Sequence, residues 1–328
     1  MADATASARE TLRQLIMGFQ PPRLIGVAAR FGLADLLANG PRSSVELAEL
    51  GVFAMLDDHS FALTPLGTYL RTDVPDSLHA AALLWSDEFM QRPWLALPHT
   101  VRTGETAFDY VFGMNLFEYL TAHPETAEVF NNGMTGQFAQ VTAAVVGSYD
   151  FSLLRGIVDV GGGNGTMIAA ILQAHPESRG VIFDLPHCRE SALRSLAADG
   201  LADRGDFVGG DFFEAVPAGA DAYLLRNILH DWDDLRSVAI LRTCRHAMAP
   251  GSKLLLIERL LAAGNEPRPD VVFADLNMLV GTGGRERTEA EYRALLREAD
   301  LSLVRIIPTP SAFSVVEAEP VTRADPAR

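Results

Sequence analysis

The chain contains few cysteines and few basic residues. Its two cysteines, Cys188 and Cys244, make no disulfide framework and lack metal-site spacing, which is typical of a reducing cytoplasm. Lys and Arg total 27 against 42 Asp and Glu, and the net charge of −15 argues against a nucleic-acid partner because phosphates would be repelled. No apolar run reaches the roughly 18 residues that a membrane-spanning helix needs, and the N-terminus lacks the features of a signal peptide. We therefore expect a cytoplasmic protein that binds neither nucleic acid nor membrane.

The first half of the chain has mainly helical patterns. One apolar stripe at helical spacing consists of Leu12, Leu15, Ile16 and Phe19. A second helix is predicted to begin after Pro21-Pro22, and the helical segment "SSVELAEL" precedes a strand, turn and strand in "GVFAMLDDHSFALTP". Helices followed by a hairpin predict a winged-helix-like module in residues 1–100, with further helices in 101–149.

From about Asp150 onward, short apolar runs alternate with helical patterns. The strand-like runs are "GIVDVGG", "RGVIFDLP", "DFVGGDFF", "DAYLLRNIL", "KLLLIERLL", "LSLVRIIP" and "FSVVEA". This alternation predicts an α/β fold, with a doubly wound parallel sheet covered by helices on both faces. Because no full helix separates the last two runs, they are predicted to form a terminal hairpin. The sheet domain is expected in residues 150–320, followed by a tail at 321–328.

The first strand of this half, in "IVDVGGGNGTM", ends in a glycine-rich turn that leads into a helix. Glycines allow a ligand to approach the backbone, and a helix N-terminus offers free N–H groups to an anion. The spacing Gly161-x-Gly163-x-Gly165 differs from the GxGxxG pattern of dinucleotide-binding proteins. A tight strand–helix turn without any ligand is the plainer alternative.

Acidic residues end the next two strands. Asp184 follows Gly163 at the distance at which an acid commonly binds the ribose hydroxyls of an adenosine-containing ligand. Asp211 ends the third strand, and Phe212 beside it could flank an adenine ring. Asp211 by itself could equally be a helix N-cap. Since ligands bind at the carboxyl ends of strands in such sheets, these features predict one cofactor site.

A histidine surrounded by acids ends the fourth strand, in "NILHDWDD". His230 would share an edge of the sheet with Glu258, which ends the fifth strand, and Glu286 lies just before a helix that begins at Thr288. An imidazole oriented by a carboxylate is a common general base, and its ordinary pKa near 6.5 would leave it mostly neutral at pH 7. A lone histidine is more often structural, and Asp231 could simply cap the next helix.

Together these segments resemble one enzyme family. "DVGGGNG", "FDLP", "GGDFF", "NILHDWDD", "LLLIER" and "DLNMLVGTGGRERTEAEY" are similar to S-adenosylmethionine-dependent small-molecule O-methyltransferases, of the plant caffeate and flavonoid type and the bacterial natural-product tailoring type. The resemblance implies a Rossmann-like catalytic domain, a winged-helix-like dimerisation domain, a substrate lid in 101–149 and a homodimer. It implies S-adenosylmethionine as methyl donor, S-adenosylhomocysteine as product and an aromatic acceptor with a phenolic or other hydroxyl. We expect no metal ion.

The resemblance also assigns roles to individual residues. His230 would be the general base, flanked by Glu258 and Glu286. The cofactor would be bound by Asp159, Gly161, Gly163, Asp184, Leu185, Gly210, Asp211, Phe212 and Arg226, the last standing where plant members often have a lysine. By the resemblance Met278 would pack on the acceptor ring, and the further candidates for binding the acceptor are Asp231, Asn227, Met134, Trp85 and Phe89. The large apolar residues among these are also common in protein cores.

The sequence departs from the family at one place, and other functions stay open. About a helix and a half of the family pattern is absent where Leu50 runs directly into Gly51, either because this protein has lost it or because the sequence lacks those residues. The nearest alternative function is a cofactor-binding decarboxylase or hydroxylase of the same fold that transfers no methyl group. A nicotinamide oxidoreductase is disfavoured by the glycine spacing, and a transcription factor is disfavoured by the negative charge.

Overall fold

The structure, a computed structural model, describes residues 20–38, 40, 42–43, 53–56, 60–74, 77–261 and 269–321. The apolar stripe of Leu12 to Phe19, the segment "SSVELAEL" after its first residue and the junction at Leu50-Gly51 lie outside these residues. The chain divides into two compact units, Met1–Arg92 with Glu125–Gln137, and Pro93–Pro124 with Phe138–Arg328.

The first unit contains short helices and a small antiparallel sheet. Its elements are α1 (Gln20–Arg30), α2 (Leu33–Leu37), β1 (Arg42–Ser43), β2 (Phe53–Met55), β3 (Ser60–Leu63), α3 (Pro65–Thr68) and α4 (His79–Ser86). The sheet order is β1-β3-β2, and the antiparallel pairing of β2 with β3 confirms the two predicted strands. Helix α1 begins at Gln20 rather than after the prolines, because both prolines fit in a first turn whose N–H groups have no partner. Gly32, at φ 61°, separates α1 from α2.

Five helices connect the small sheet to the large one. They are α5 (Glu88–Leu95), α6 (Leu97–Thr103), α7 (Ala107–Phe112), α8 (Leu116–Ala122) and α9 (Pro124–Ser148). The long helix α9 confirms that residues 101–149 contain helices, whereas α7 and α8 were not predicted individually. Helix α8 begins at a capping box, in which Asn115 accepts from the N–H of Glu118 and Glu118 accepts from the N–H of Asn115. Within the described residues, no helix is both long and apolar enough to cross a membrane.

The second unit is built around a large mixed sheet. Its strands are β4 (Gly156–Val160), β5 (Arg179–Asp184), β6 (Gly205–Gly209), β7 (Ala222–Arg226), β8 (Lys253–Leu261), β9 (Arg287–Thr288), β10 (Leu301–Pro308) and β11 (Phe313–Pro320). The intervening helices are α10 (Thr166–Ala174), α11 (Arg189–Ala198), α12 (Asp234–Ala247), α13 (Pro269–Gly281) and α14 (Glu289–Glu298).

The strand order places the predicted site residues on one edge of this sheet. The order is β10-β11-β8-β7-β4-β5-β6, and β9 pairs with β8. Strands β4 to β8 pair in parallel, while β10 and β11 form the predicted terminal hairpin and run antiparallel to β8. Strand β7 and most of β8 are buried on both faces, as expected for continuous apolar runs in a parallel sheet. The carboxyl ends of these neighbouring strands therefore lie side by side.

Candidate active site

The glycine-rich turn after β4 is closed by an acid from the next strand. The N–H of Gly163 donates to Asp184 Oδ2 at 2.7 Å, and Gly163 has φ 57°, a backbone conformation that favours glycine. A Cβ at Gly161 would run into the side chain of Ile228, so backbone rather than side chain lines the turn. Two predicted cofactor-binding elements, the turn and Asp184, are thus in direct contact.

Both oxygens of Asp184 have protein donors. Besides Gly163, the N–H of Leu185 donates to Oδ1 at 2.6 Å, and the thiol of Cys188 is 3.6 Å from the same atom. Burial raises the pKa of Asp184 and these hydrogen bonds oppose the shift. Oδ2, which has one donor, can accept a second hydrogen bond, so the group can still receive a ribose hydroxyl.

A buried charge pair lies behind the glycine turn. Asp159 is fully buried, and its Oδ2 has no hydrogen-bond partner. Burial raises the pKa of Asp159 to about 6, although the charge of Arg226 lowers it. Arg226 donates from Nη1 to Thr142 Oγ1 at 2.9 Å. A buried carboxylate and a guanidinium thus lie near the carboxyl ends of β4 and β7 and influence each other's charge.

The residues after β6 form a turn and not a helix cap. Asp211 Oδ1 accepts from the N–H of Phe213 at 2.8 Å, so the N-cap alternative for Asp211 is wrong. The N–H of Gly210 donates to the carbonyl of Asp184 at 3.0 Å. This hydrogen bond connects the turn to the residue that is predicted to bind the ribose. The ring of Phe212 meets Trp232 edge-on, with centroids 6.1 Å apart. A contact of Phe212 with adenine stays a prediction.

His230 lies on a single 3₁₀ turn, Leu229–Asp231, two residues beyond the end of β7 at Arg226, so the fourth strand stops before His230 and not at it. Its Nδ1 is 3.6 Å from Glu258 Oε2 and 3.4 Å from Glu286 Oε1, and all three side chains are buried. Its Nε2 is 3.7 Å from Asp231 Oδ1. The other oxygen of Glu258 accepts from the N–H groups of Ile228 at 3.1 Å and Leu229 at 3.0 Å. Glu258 therefore both anchors the turn and faces the imidazole.

The acids change the titration of His230. Burial by itself lowers the pKa of His230, but the charges of Glu258, Asp231 and Glu286 outweigh it and raise the pKa to about 9. Burial raises the pKa of Glu258 to about 7 and that of Asp231 to about 6, against the opposing charge of His230. The ordinary pKa near 6.5 predicts a mostly neutral imidazole at pH 7, and the three neighbouring acids shift the pKa of His230 toward the charged form.

The same residues have the atom types of a metal site. One atom each from His230, Glu258 and Glu286 lies within 4.8 Å of the others. Both carboxylate oxygens of Glu286, as well as His230 Nδ1 and Glu258 Oε2, have no hydrogen-bond partner. The guanidinium of Arg259, 3.7 Å from Glu286 Oε1, already supplies positive charge beside this cluster. That no metal ion takes part stays a prediction from the sequence.

Several residues around His230 were not recognised from the sequence. Helix α12 is capped by Asp233, whose Oδ1 accepts from the N–H of Arg236 at 2.8 Å, so the alternative that Asp231 caps it is wrong. Gly284 and Arg287, from "GGRERT", contact the turn that carries His230. The quoted motif was the only signal for them, because a buried arginine and a close backbone approach have no local pattern.

The predicted acceptor-binding residues are divided between the two units. Asn227 follows β7 at φ 56°, and its Oδ1 is buried without a hydrogen-bond partner. Met278 is half-buried on α13 in the second unit. Trp85, Phe89 and Met134 belong to the first unit, where Phe89 is buried and the other two are half-buried. Acceptor binding by these residues stays a prediction.

Comparison with known proteins identifies the family. Residues 94–302 match the family model of the O-methyltransferase domain. A phenazine O-methyltransferase of Lysobacter antibioticus is 42% identical, over 94% of this chain and 96% of its own. The structure of the mitomycin 7-O-methyltransferase matches with a TM-score of 0.88 and 36% identity, covering 98% of this chain and 100% of that one. An O-methyltransferase from neocarzinostatin biosynthesis, crystallised with S-adenosylmethionine and 2-hydroxy-5-methyl naphthoic acid, matches with a TM-score of 0.76 and 32% identity, covering 91% and 95%. The resemblance found in the sequence is thereby confirmed, and the chain belongs to the O-methyltransferase domain family.

Proposed function

We propose that this protein transfers a methyl group from S-adenosylmethionine to a hydroxyl of an aromatic small molecule, with His230 as the general base. The observation that carries the proposal is the imidazole of His230 between Glu258 and Glu286, at the sheet edge that also holds the glycine turn and Asp184. The relatives support the reaction class, since those named above are O-methyltransferases.

The cofactor site is assigned to residues of this chain. Asp184 would accept the ribose hydroxyls, the turn at Gly161 and Gly163 would allow close backbone approach, and Asp159 offers a buried carboxylate oxygen without a partner. When bound, S-adenosylmethionine supplies a methyl group that its sulfonium has already activated. The chain therefore needs only to align the acceptor and to remove one proton.

The raised pKa of His230 suits a phenolic acceptor. A phenol has an ordinary pKa near 10, so a histidine with a pKa of about 9 can take its proton at little cost in free energy. Glu258 and Glu286 then stabilise the imidazolium that results. A phenolate beside a protonated His230 has the same total number of protons as a phenol beside a neutral His230. The two states therefore give the same dependence of the rate on pH.

The acceptor is assigned by class. The neocarzinostatin relative was crystallised with a naphthoic acid, and the Lysobacter relative is a phenazine O-methyltransferase, which supports a fused aromatic acceptor from natural-product biosynthesis. Asn227, Asp231 and Met278 of the second unit are proposed to bind it, while the same role for Trp85, Phe89 and Met134 of the first unit stays a prediction from the sequence. A panel of hydroxylated naphthoates, phenazines and simple phenols, assayed with methyl-labelled S-adenosylmethionine, tests this class. Binding of the cofactor without methyl transfer to any acceptor would favour the decarboxylase or hydroxylase alternative.

Binding of S-adenosylhomocysteine tests the cofactor site. Replacing Asp184 with alanine should weaken it by about 1.5–3 kcal/mol, the range for hydrogen bonds to a charged group. Calorimetry on the wild type and on Asp184→Ala measures the difference, with the exposed Asp199→Ala as matched control. Equal affinity in a folded Asp184→Ala variant would remove Asp184 from the site.

The partner and location proposals follow the family resemblance. We assign residues 1–100 to a winged-helix-like dimerisation domain, 101–149 to a helical linker and substrate lid, and 150–320 to the catalytic domain. We also propose that the enzyme is cytoplasmic. The exposed apolar side chains of Leu95, Val101 and Phe273, 80%, 74% and 62% exposed in a single chain, support burial against a second copy. Light scattering at micromolar concentration should therefore report a homodimer, and a monomer there would contradict the proposal.

A further inference from the structure

Arg287 is a fully buried arginine that binds the turn carrying His230. Its Nη1 donates to the carbonyl of Leu229 at 2.6 Å, and its Nη2 donates to the carbonyl of Trp232 at 2.7 Å. Its Nε and Nη2 also reach Asp234 Oδ1, at 3.1 and 2.9 Å. The guanidinium therefore connects the backbone before His230, the backbone after it and the first residue of α12.

The backbone next to Arg287 binds the same turn. The N–H of Arg285 donates to the carbonyl of His230 at 2.8 Å. A Cβ on Gly284 would overlap that carbonyl oxygen, so only glycine permits this approach. The carbonyls of Leu229, His230 and Trp232 thus all accept hydrogen bonds from residues 285–287, and Glu286 lies between the two donors with its carboxylate near the imidazole.

Packing alone does not explain a charge at this place. A buried guanidinium is costly unless it is paired and hydrogen-bonded, and an apolar side chain of similar volume would commonly stabilise the fold equally well. The planar guanidinium has five donors in a rigid arrangement, which suits two carbonyls and one carboxylate at fixed positions. A single 3₁₀ turn has little hydrogen bonding of its own to maintain its geometry. The arrangement therefore serves to orient the turn.

We propose that Arg287 is a positioning residue, which holds the Leu229–Trp232 turn so that the imidazole of His230 stays between Glu258 and Glu286. This inference rests on the proposed role of His230 as the base. It assigns Arg287 no contact with cofactor or acceptor. Its effect on the reaction passes through the orientation and the titration of His230.

The inference predicts a change in the titration of His230. The groups that face the imidazole are Glu258 from β8, Glu286 from the segment before β9 and Asp231 from its own turn. Arg259 lies behind Glu286, and the buried hydroxyl of Tyr292 on α14 lies near both glutamates. Displacing the imidazole from the two glutamates removes negative charge from its surroundings. Its pKa should then fall from about 9 toward the ordinary value near 6.5.

The experiment compares Arg287→Met and Arg287→Lys with the wild type. Arg293→Gln, which removes an exposed arginine on the neighbouring α14, is the matched control. We expect Arg287→Met to lower kcat by up to about 100-fold, the effect of a displacement near 1 Å, while the KM for S-adenosylmethionine stays constant. The acidic limb of the pH profile should move to lower pH, Arg287→Lys should restore part of both properties, and Arg293→Gln should match the wild type.

A spectroscopic readout separates this inference from the proposed function. NMR titration of labelled histidine, with the His230 signal identified by its loss in His230→Ala, measures the pKa of His230 without any turnover. A lowered pKa in Arg287→Met supports the positioning role even in the event that methyl transfer is not found. An unchanged His230 pKa in a folded variant overturns the inference, whether or not kcat falls. Should Arg287→Met fail to fold, Asp234→Asn weakens the same contact and should lower the pKa in the same direction by less.

Discussion

Replacing His230 with alanine is expected to lower kcat by about 10²–10⁴-fold, the usual contribution of a positioned acid–base group. The glycine turn follows β4 and Asp184 ends β5, whereas His230 follows β7, so binding of S-adenosylhomocysteine should be unchanged. The imidazole is the group that faces Glu258 and Glu286, and alanine leaves these acids without the cation that they stabilise. Steady-state kinetics at pH 7 measures the loss, with the exposed His246→Ala as control.

The acceptor provides a second test of the same variant. An acidic phenol that is already ionised needs no base, so it should lose less activity in His230→Ala than a weakly acidic alcohol or phenol. Rates measured across acceptors of graded pKa should therefore diverge between the wild type and the variant. A folded variant that keeps full turnover on a neutral phenol at pH 7 would show that His230 is not the base.

Replacing Glu258 separates its charge from its hydrogen bonds. Glu258→Gln keeps an oxygen that can accept from the N–H groups of Ile228 and Leu229 but removes the negative charge. An opposite charge within about 4–6 Å shifts a pKa by roughly 1–3 units, so the acidic limb of kcat/KM should move down by about that amount from a wild-type value near pH 9. The pKa of His230 falls, and does not rise, because the lost carboxylate was stabilising the charged form of the imidazole. The activity loss should be smaller than that of His230→Ala.

Glu258→Ala should instead reduce stability. The alanine leaves the buried N–H groups of Ile228 and Leu229 without an acceptor. Each unsatisfied group costs about 1–3 kcal/mol, so the free energy of unfolding should fall by roughly 2–6 kcal/mol. Urea unfolding of both variants at pH 7 measures this, with Glu258→Gln expected to lie closer to the wild type. An unshifted pH profile for Glu258→Gln, together with wild-type stability for Glu258→Ala, would contradict the assignment of both roles to this residue.

The parts of the fold that could be predicted are those specified by near neighbours in the chain. The apolar runs of β7 and β8, the glycine turn at Gly161 and the capping box at Thr288 all depend on residues within a few positions. The alternation of these runs with helices was sufficient to predict a parallel sheet and the terminal hairpin. The choice between Asp231 and Asp233 as a cap was not predictable, because both precede the same helix and only the geometry of the 3₁₀ turn separates them.

The sequence by itself determined the α/β fold, the sheet edge on which the site lies and the identity of the candidate base, since apolar periodicity and glycine-rich turns are local properties. Only the tertiary structure decided how His230 titrates and what holds it in place. Arg287 and Leu229 are 58 positions apart, and Glu258 and Ile228 are 30 apart, so their contacts exist only because β9 pairs with β8 and β8 pairs with β7. A pKa depends on the distance to every nearby charge and on burial, and neither quantity is present in the order of residues.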